Sequence, residues 1–175
     1  MASYHFTVRP ISRGKGDSIT CSVSYITGRN LIDDYCGKTY YHARQDVLYQ
    51  QIIQPEYAPE GFHDLQSLCR AIDAAEKRYD ARTGREYIGS LPNELPLDEQ
   101  IHIVTEFAES CFLEKSLCAI IAIHEGRNDA DPSQNNPHSH MIIPTRTLTP
   151  NGFSSVKCRE LDRKSLLLDW RKKMG

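Results

Sequence analysis

No run of apolar residues in the 175-residue chain approaches the roughly 18–20 needed to cross a bilayer. The longest is Leu117–Ile123. The first ten residues alternate polar and apolar side chains and contain no signal-peptide core. None of the six cysteines, at positions 21, 36, 69, 111, 118 and 158, stands in a C-x-x-C pair, so a zinc ribbon and a thioredoxin motif are excluded. Cys118 lies in the apolar run and reads as a small hydrophobe. With no export signal, reduced thiols and a cytoplasmic location are expected. Internal repeats and low-complexity tracts are absent as well. Charged residues make up 25% and hydrophobic ones 39%, a globular composition. These absences exclude an integral membrane protein, a secreted miniprotein and a collagen-like or repeat protein. What remains is a single domain over residues 1–175. It is large enough to bury about 70% of the surface its unfolded chain exposes without disulfides or a structural metal.

A balanced overall charge is also misleading. The formal net charge is −2, but residues 1–44 hold six Lys/Arg against three Asp/Glu, and residues 157–175 hold seven against three. Residues 45–156 hold eight against seventeen. Basic ends that meet in the fold suit a polyanion, and an acidic centre suits a metal; a solvated surface would explain the same pattern with no partner at all.

Periodicity supplies the elements. Ser3–Arg9 alternates as a half-buried strand, and the Gly-rich basic stretch Ile11–Ser18 reads as a flexible electropositive loop. Ser18 caps a helix running to Thr27 and stopped by Gly28. Asn30–Tyr41 is turn-rich and suits a hairpin. Val47–Gln54 is a strand ending at Pro55. Asp64–Tyr79 places Leu65, Leu68, Ile72, Ala75 and Tyr79 on one helical face, with Asp64 as cap. Arg85–Leu91 reads as a strand, Leu97–Leu113 as a helix, and Leu117–His124 as a central, doubly covered strand. Glu125–Asn136 is a polar loop, and Pro137–Pro144 is a final strand. The order predicts an α+β domain, an α/β two-layer sandwich with a mainly antiparallel sheet.

The densest chemical signal is Asn136-Pro137-His138-Ser139-His140. Side chains two apart on a strand share a face, so His138 and His140 project together. If the preceding apolar strand is their neighbour, His124 at its end joins them, and three imidazoles form a metal site with open positions. In Arg85–Leu91, alternation puts Glu86 on one face with Ile88 and Ser90. There it can accept a ring N–H from a liganding histidine, or simply pair with Arg85 or Arg82. The first helix carries Tyr25 behind the small residues Cys21, Ser22 and Ser24. A phenol can serve as a nucleophile when a cation or base assists it. Eight further tyrosines keep elimination from assigning that role, and a packing role for Tyr25 stays open.

Several segments in order give the chain a family likeness. They run from Tyr4-His5-Phe6 and Ile11-Ser12-Arg13-Gly14-Lys15-Gly16-Asp17-Ser18 through Tyr25, Gly28 and Asp34-Tyr35. Pro55, Ala58-Pro59, Ala75-Glu76-Lys77-Arg78, Arg85-Glu86 and Leu91-Pro92-Asn93-Glu94-Leu95 follow. His124, Asn136-Pro137-His138-Ser139-His140, Thr145-Arg146 and Gly152-Phe153 complete the series. Together they resemble the MobA/MobL family of plasmid mobilisation relaxases, within the HUH endonuclease superfamily. The resemblance implies a five-stranded antiparallel sheet with helices, in a permuted ferredoxin-like arrangement. It implies metal-dependent, strand-specific nicking of DNA at a transfer origin (oriT) through a covalent 5′-phosphotyrosine intermediate, with later rejoining. Tyr25 becomes the nucleophile, Glu86 the support of a histidine, and His124, His138 and His140 the ligands of a divalent ion. Mn²⁺ or Mg²⁺ is expected, with Zn²⁺ or Ni²⁺ as substitutes in a crystal. Arg9, Arg13, Lys15 and Arg29 are the candidate DNA contacts, with help from the C-terminal cations. Single-stranded or hairpin DNA at oriT, accessory relaxosome proteins and a coupling protein are the implied partners of a monomer. Relatives usually continue into a long extension, so the chain reads as the N-terminal domain of a longer protein.

One departure stands out. Around the nucleophile the family commonly has Ala-Ala-Tyr-Arg-Ser-Gly, whereas this chain has Val23-Ser24-Tyr25-Ile26-Thr27-Gly28. Ile26 replaces an arginine, and Arg29 or Lys15 is the expected substitute cation. Two alternatives share many of these residues: a related replication initiator or transposase, and a non-catalytic DNA-binding module with a structural metal. A histidine-triad nucleotide hydrolase is disfavoured because Ile142 stands where its pattern needs a histidine.

Overall fold

A computed structural model of the chain describes residues 4–162 and 165–174. Ser3, where the first strand was expected to begin, and Arg163 and Lys164 of the basic C-terminal segment lie outside the described residues. Five strands form the central sheet in the order β1-β5-β7-β6-β4, with every neighbouring pair antiparallel. They are β1 (Phe6–Ser12), β4 (Val47–Ile53), β5 (Arg82–Ser90), β6 (Ala119–His124) and β7 (His138–Pro144). Two small hairpins flank it, β2 (Leu31–Asp33) with β3 (Lys38–Tyr40), and β8 (Arg146–Thr149) with β9 (Gly152–Lys157). Four helices complete the fold: α1 (Ile19–Thr27), α2 (Leu65–Ala75), α3 (Leu97–Cys111) and α4 (Ser165–Met174). Among the described residues no helix is long and apolar enough to cross a membrane.

The α+β class and the antiparallel five-stranded sheet match the sequence expectation. The helices, however, are divided between both faces of the sheet, where a two-layer arrangement would put them on one. Alternation along β6 and β7 explains the division. Ile120, Ala122 and Ile142 join Ile19, Val23 and Ile26 of α1 and Leu68 and Ile72 of α2. Ile121, Ile123, Met141 and Ile143 join Val104, Phe107 and Ala108 of α3 and Leu166 and Trp170 of α4. β6 is buried at all six positions, as a strand covered on both sides should be. Gly89 of β5 has no room for a side chain, because a Cβ there would overlap the Trp170 indole.

Local signals fix the helix that matters most. The Ser18 hydroxyl accepts from the Cys21 N–H at 3.0 Å, and Gly28 closes α1 with a left-handed φ of 69° that glycine adopts without strain. Elsewhere long-range contacts move the boundaries. β1 runs to Ser12 because residues 9–12 pair with β5; as an edge strand it tolerates Pro10. The basic loop therefore begins only at Arg13. α2 stops at Ala75, four residues short of the expected Tyr79. Glu76 leaves the helix with extended backbone (φ −109°, ψ 107°), and its buried carboxylate is held by Arg146 at 2.6 Å and Lys157 at 3.0 Å. Arg13 takes up carbonyls of the last turn at Asp73 and Glu76.

Candidate active site

β6 and β7 pair so that His124 lies opposite His138, while His140 lies opposite Ala122, two residues further along the same face. One ring nitrogen from each histidine falls within 4.8 Å of the other two. The ring centroids are 4.4 to 5.3 Å apart. Each ring is oriented by a bond on its other side. His138 donates from Nδ1 to the Asn136 carbonyl at 2.8 Å, His140 donates from Nδ1 to Glu86 Oε1 at 2.8 Å, and His124 donates from Nε2 to the Ile26 carbonyl at 2.7 Å. Those acceptors fix the tautomers. They leave Nε2 of His138, Nε2 of His140 and Nδ1 of His124 as lone-pair donors. His124 Nδ1 is buried without a hydrogen-bond partner among the described residues. A buried acceptor left unpaired is costly in a packed interior, and a divalent cation satisfies it. The residues present therefore fit a three-imidazole metal site with open coordination positions.

Electrostatics agree with that chemistry, since ligation requires neutral imidazole. Burial, the largest cause, pushes His124 down to about 4 against the opposing bond to Ile26, and nearby His140, Arg44 and His138 add to the depression. His138 is lowered too, again first by burial. Both rings are thus neutral near pH 7. The sign of the pH effect follows. Below the ordinary histidine value of about 6.5 the unfolded chain takes up protons that these folded rings refuse. The EDTA-treated protein should lose thermal stability steadily as pH falls from about 6.5 towards 4. His124→Gln should flatten that descent, and an identical descent in the variant would refute the assignment.

Glu86 sits between two partners. It accepts from His140 on one oxygen and from Arg9 Nε on the other, at 2.9 Å. Burial works to raise its pKa, but the bonds and charges of His140 and Arg9 outweigh it, and the carboxyl lies below its ordinary value. An ionised Glu86 strengthens the basicity of the His140 ring. Glu86→Gln keeps the shape and removes the charge. Mn²⁺ affinity measured by calorimetry should drop about 10-fold or more; an unchanged affinity would show that the carboxylate does not act through His140.

Tyr25 is 49% exposed on the outer face of α1, outside the core. The next residue supplies the carbonyl that holds His124, so the tyrosine turn of α1 is tied directly to the histidine cluster. Arg44 stacks its guanidinium 4.6 Å from the Tyr25 ring centroid and approaches the Tyr25 carbonyl at 3.5 Å. Asp46 grips Arg44 with two bonds of 2.8 and 2.7 Å. Those bonds raise the Arg44 pKa, burial opposes them, and hydrogen bonding to Tyr25 raises it further. His42 meets the Tyr25 ring edge-on at 5.7 Å and is held by Ser24 Oγ at 2.9 Å.

The four expected DNA contacts scatter. Arg9 is half-exposed beside Glu86, and Lys15 and Arg29 are exposed. Arg13 is corrected. Its side chain is only 4% exposed, and it binds Asp73 at 2.9 Å and stacks on Tyr35 at 3.7 Å. It braces the end of α2, and its guanidinium is taken up by these protein partners. The cation stacked on the Tyr25 ring is Arg44, and Ile26 is fully buried against the sheet. The sequence signal that could have found Arg44 is the Arg44-x-Asp46 pair directly before β4, the strand whose first residue lies opposite His124.

Comparison with known proteins sets the site in context. The sequence model of the MobA/MobL family matches residues 17–174. A probable mobilization protein MobA of Bifidobacterium longum is 31% identical over 162 residues, 91% of this chain and 28% of that protein. Conjugal transfer protein TraA of Agrobacterium fabrum is 30% identical over 168 residues, 90% of this chain and 15% of that protein. Mobilization protein MobL of Acidithiobacillus ferridurans is 28% identical, with 93% and 47% covered. The chain thus spans less than half the length of each of these relatives. A solved structure reported as the molecular basis of vancomycin resistance transfer in Staphylococcus aureus superposes with a TM-score of 0.83 and 26% identity, covering 99% of this chain and 89% of that one.

Proposed function

The chain belongs to the MobA/MobL family, and from that premise we propose that it is a relaxase domain that nicks one DNA strand at a transfer origin. Tyr25 is the nucleophile. Its phenol oxygen attacks the scissile phosphorus, a P–O bond to tyrosine forms, and the P–O3′ bond breaks. The phenol proton leaves to solvent, and the departing 3′-oxygen takes up a proton. One phosphodiester replaces another, so the strand can be rejoined by the reverse step. A divalent cation held by His124, His138 and His140 would polarise the scissile phosphate and offset its charge; imidazole donors favour Mn²⁺ over Mg²⁺ for that role. Glu86 keeps the His140 tautomer fixed with Nε2 free. The bond from His124 to the Ile26 carbonyl carries the reading, because it fixes the tyrosine turn of α1 to the three imidazoles. Accessory relaxosome proteins and a coupling protein complete the proposed assembly around oriT.

Incubation with Mn²⁺ and candidate single-stranded origins, followed by a denaturing gel, tests this. A protein band shifted by covalent DNA is expected. Cleaved DNA with free ends on both sides would overturn tyrosine transesterification. Capture only on a replication or transposon end would favour the rival initiator or transposase.

Arg44 supplies charge at the phenol and, through it, at the phosphate. Arg44→Ala should slow single-turnover nicking about 10²-fold, the size of losing one preorganised donor. Arg44→Lys should recover little, since a point charge cannot keep both the Asp46 fork and the ring stack. A rate within about threefold of the parent would remove Arg44 from the mechanism.

A further inference from the structure

A cavity of about 250 Å³ opens at the start of β5, at the opposite end of that strand from its pairing with the histidine segment. Five cations line it, Arg78, Arg82, Arg85, Lys157 and Arg159, against one carboxylate, Asp80. This runs against the sequence balance, because residues 45–156 are strongly acidic and yet three of their eight cations gather here. The basic C-terminal segment adds Lys157 and Arg159. The basic N-terminal loop closes on the same region, with the Arg13 N–H donating to the Ala81 carbonyl at 2.9 Å and Lys15 exposed just beyond.

The cluster is held in place. Cys158 N–H donates to the Thr145 carbonyl at 2.7 Å, and Lys157 is anchored by the buried Glu76 at 3.0 Å. Arg78 forks on Asp80 at 2.9 and 3.0 Å, and Arg85 is buried. Arg82 and Arg159 are exposed and have no carboxylate partner among the described residues.

We propose that this cavity is a second DNA contact, which holds backbone phosphates of the strand flanking the nick. It rests on the reading that the chain handles DNA. Guanidinium forks suit phosphate oxygens. None of the described lining residues is aromatic, so there is no platform for a base and no slot for a free nucleotide. A contact of this kind sets the register of the DNA without reading sequence. Arg82 lies six residues along β5 from Ile88, the partner of His140. At about 3.3 Å per residue that is about 20 Å. Only DNA longer than that reaches both places.

The test uses the full chain and labelled mixed-sequence single strands of about 30 and about 6 nucleotides, followed by anisotropy over a range of salt. Arg82→Glu/Arg159→Glu should weaken binding of the long strand at least about 10-fold and lower the slope of log K against log salt by about 1.4, at about 0.7 per lost contact. Mn²⁺ affinity should not change. Arg82→Gln/Arg159→Gln serves if charge reversal harms folding, as checked by thermal melting. An unchanged slope in a variant that melts like the parent overturns the proposal. So does tight binding of inorganic phosphate or ATP that the variant loses, since the cavity would then be a small-anion site. If the parent binds neither strand, the DNA reading itself fails; if it binds and the slope persists, only this second contact falls.

Discussion

Tyr25→Phe should abolish covalent capture of origin DNA, with nicking down on the order of 10⁴-fold or more, while DNA binding and Mn²⁺ affinity stay at parent levels. The magnitude follows from what is removed. Phenylalanine has no atom that can form a bond to phosphorus, so no weakened version of the step survives. The selectivity follows from position. Tyr25 is half-exposed at the surface of α1, so loss of its hydroxyl leaves no buried cavity, and water can take its place beside Arg44. Phenylalanine keeps a ring face for Arg44 and an edge for His42. The backbone carbonyl that orients His124 belongs to Ile26 and is untouched. A denaturing gel with a labelled single strand reads the adduct directly. A persisting shifted band would assign the chemistry to another tyrosine, and exposed Tyr41, beside His42, would be the first to examine.

His138→Ala carries the second large effect. His138 is the least enclosed of the three histidines, at the first position of β7, and its own orienting partner is a backbone carbonyl. Removing it takes one of three ligands and disturbs little packing. Mn²⁺ affinity should fall at least about 10²-fold, more than a supporting residue such as Glu86 would produce, and nicking at micromolar metal should vanish with it. The melting temperature of the metal-free protein should move little. His102→Ala is the control, because that ring stands exposed on α3 away from the cluster. Parent-like affinity in His138→Ala by calorimetry would mean that the ion, if bound, sits elsewhere.

The sequence displayed the pieces of this site unevenly. His138 and His140 were legible because period-two alternation is a property of any strand, and Ser139 between them points into the opposite layer. Glu86 was legible by the same alternation, and antiparallel pairing of β5 with β7 brings it diagonally across to His140. The partners of Arg13 have no local signature, because an arginine followed by glycine in a basic loop reads as solvent-facing. Its destination is set by Asp73 and Tyr35, which lie far along the chain. The end of α2 was misplaced for a related reason, since the apolar spacing continues to Tyr79 while Glu76 is drawn out of the helix by Arg146 and Lys157, seventy and eighty-one residues away. Arg44 is not legible beside Tyr25, because it reaches the ring from the segment leading into β4, nineteen residues further along the chain.

By itself, the sequence determined the five strands of the central sheet and the helices α1, α2 and α3 to within a few residues, though not β8, β9 or α4, together with where α1 begins and ends and which side chains share a face. All of these depend on residues within a turn or two of each other. Only the tertiary structure decided which charges are paired, which way the basic loop turns, and which cation stands over the phenol. Those outcomes depend on contacts between segments tens of residues apart, whose geometry is fixed by sheet register and by the burial of ion pairs, and no local pattern encodes either.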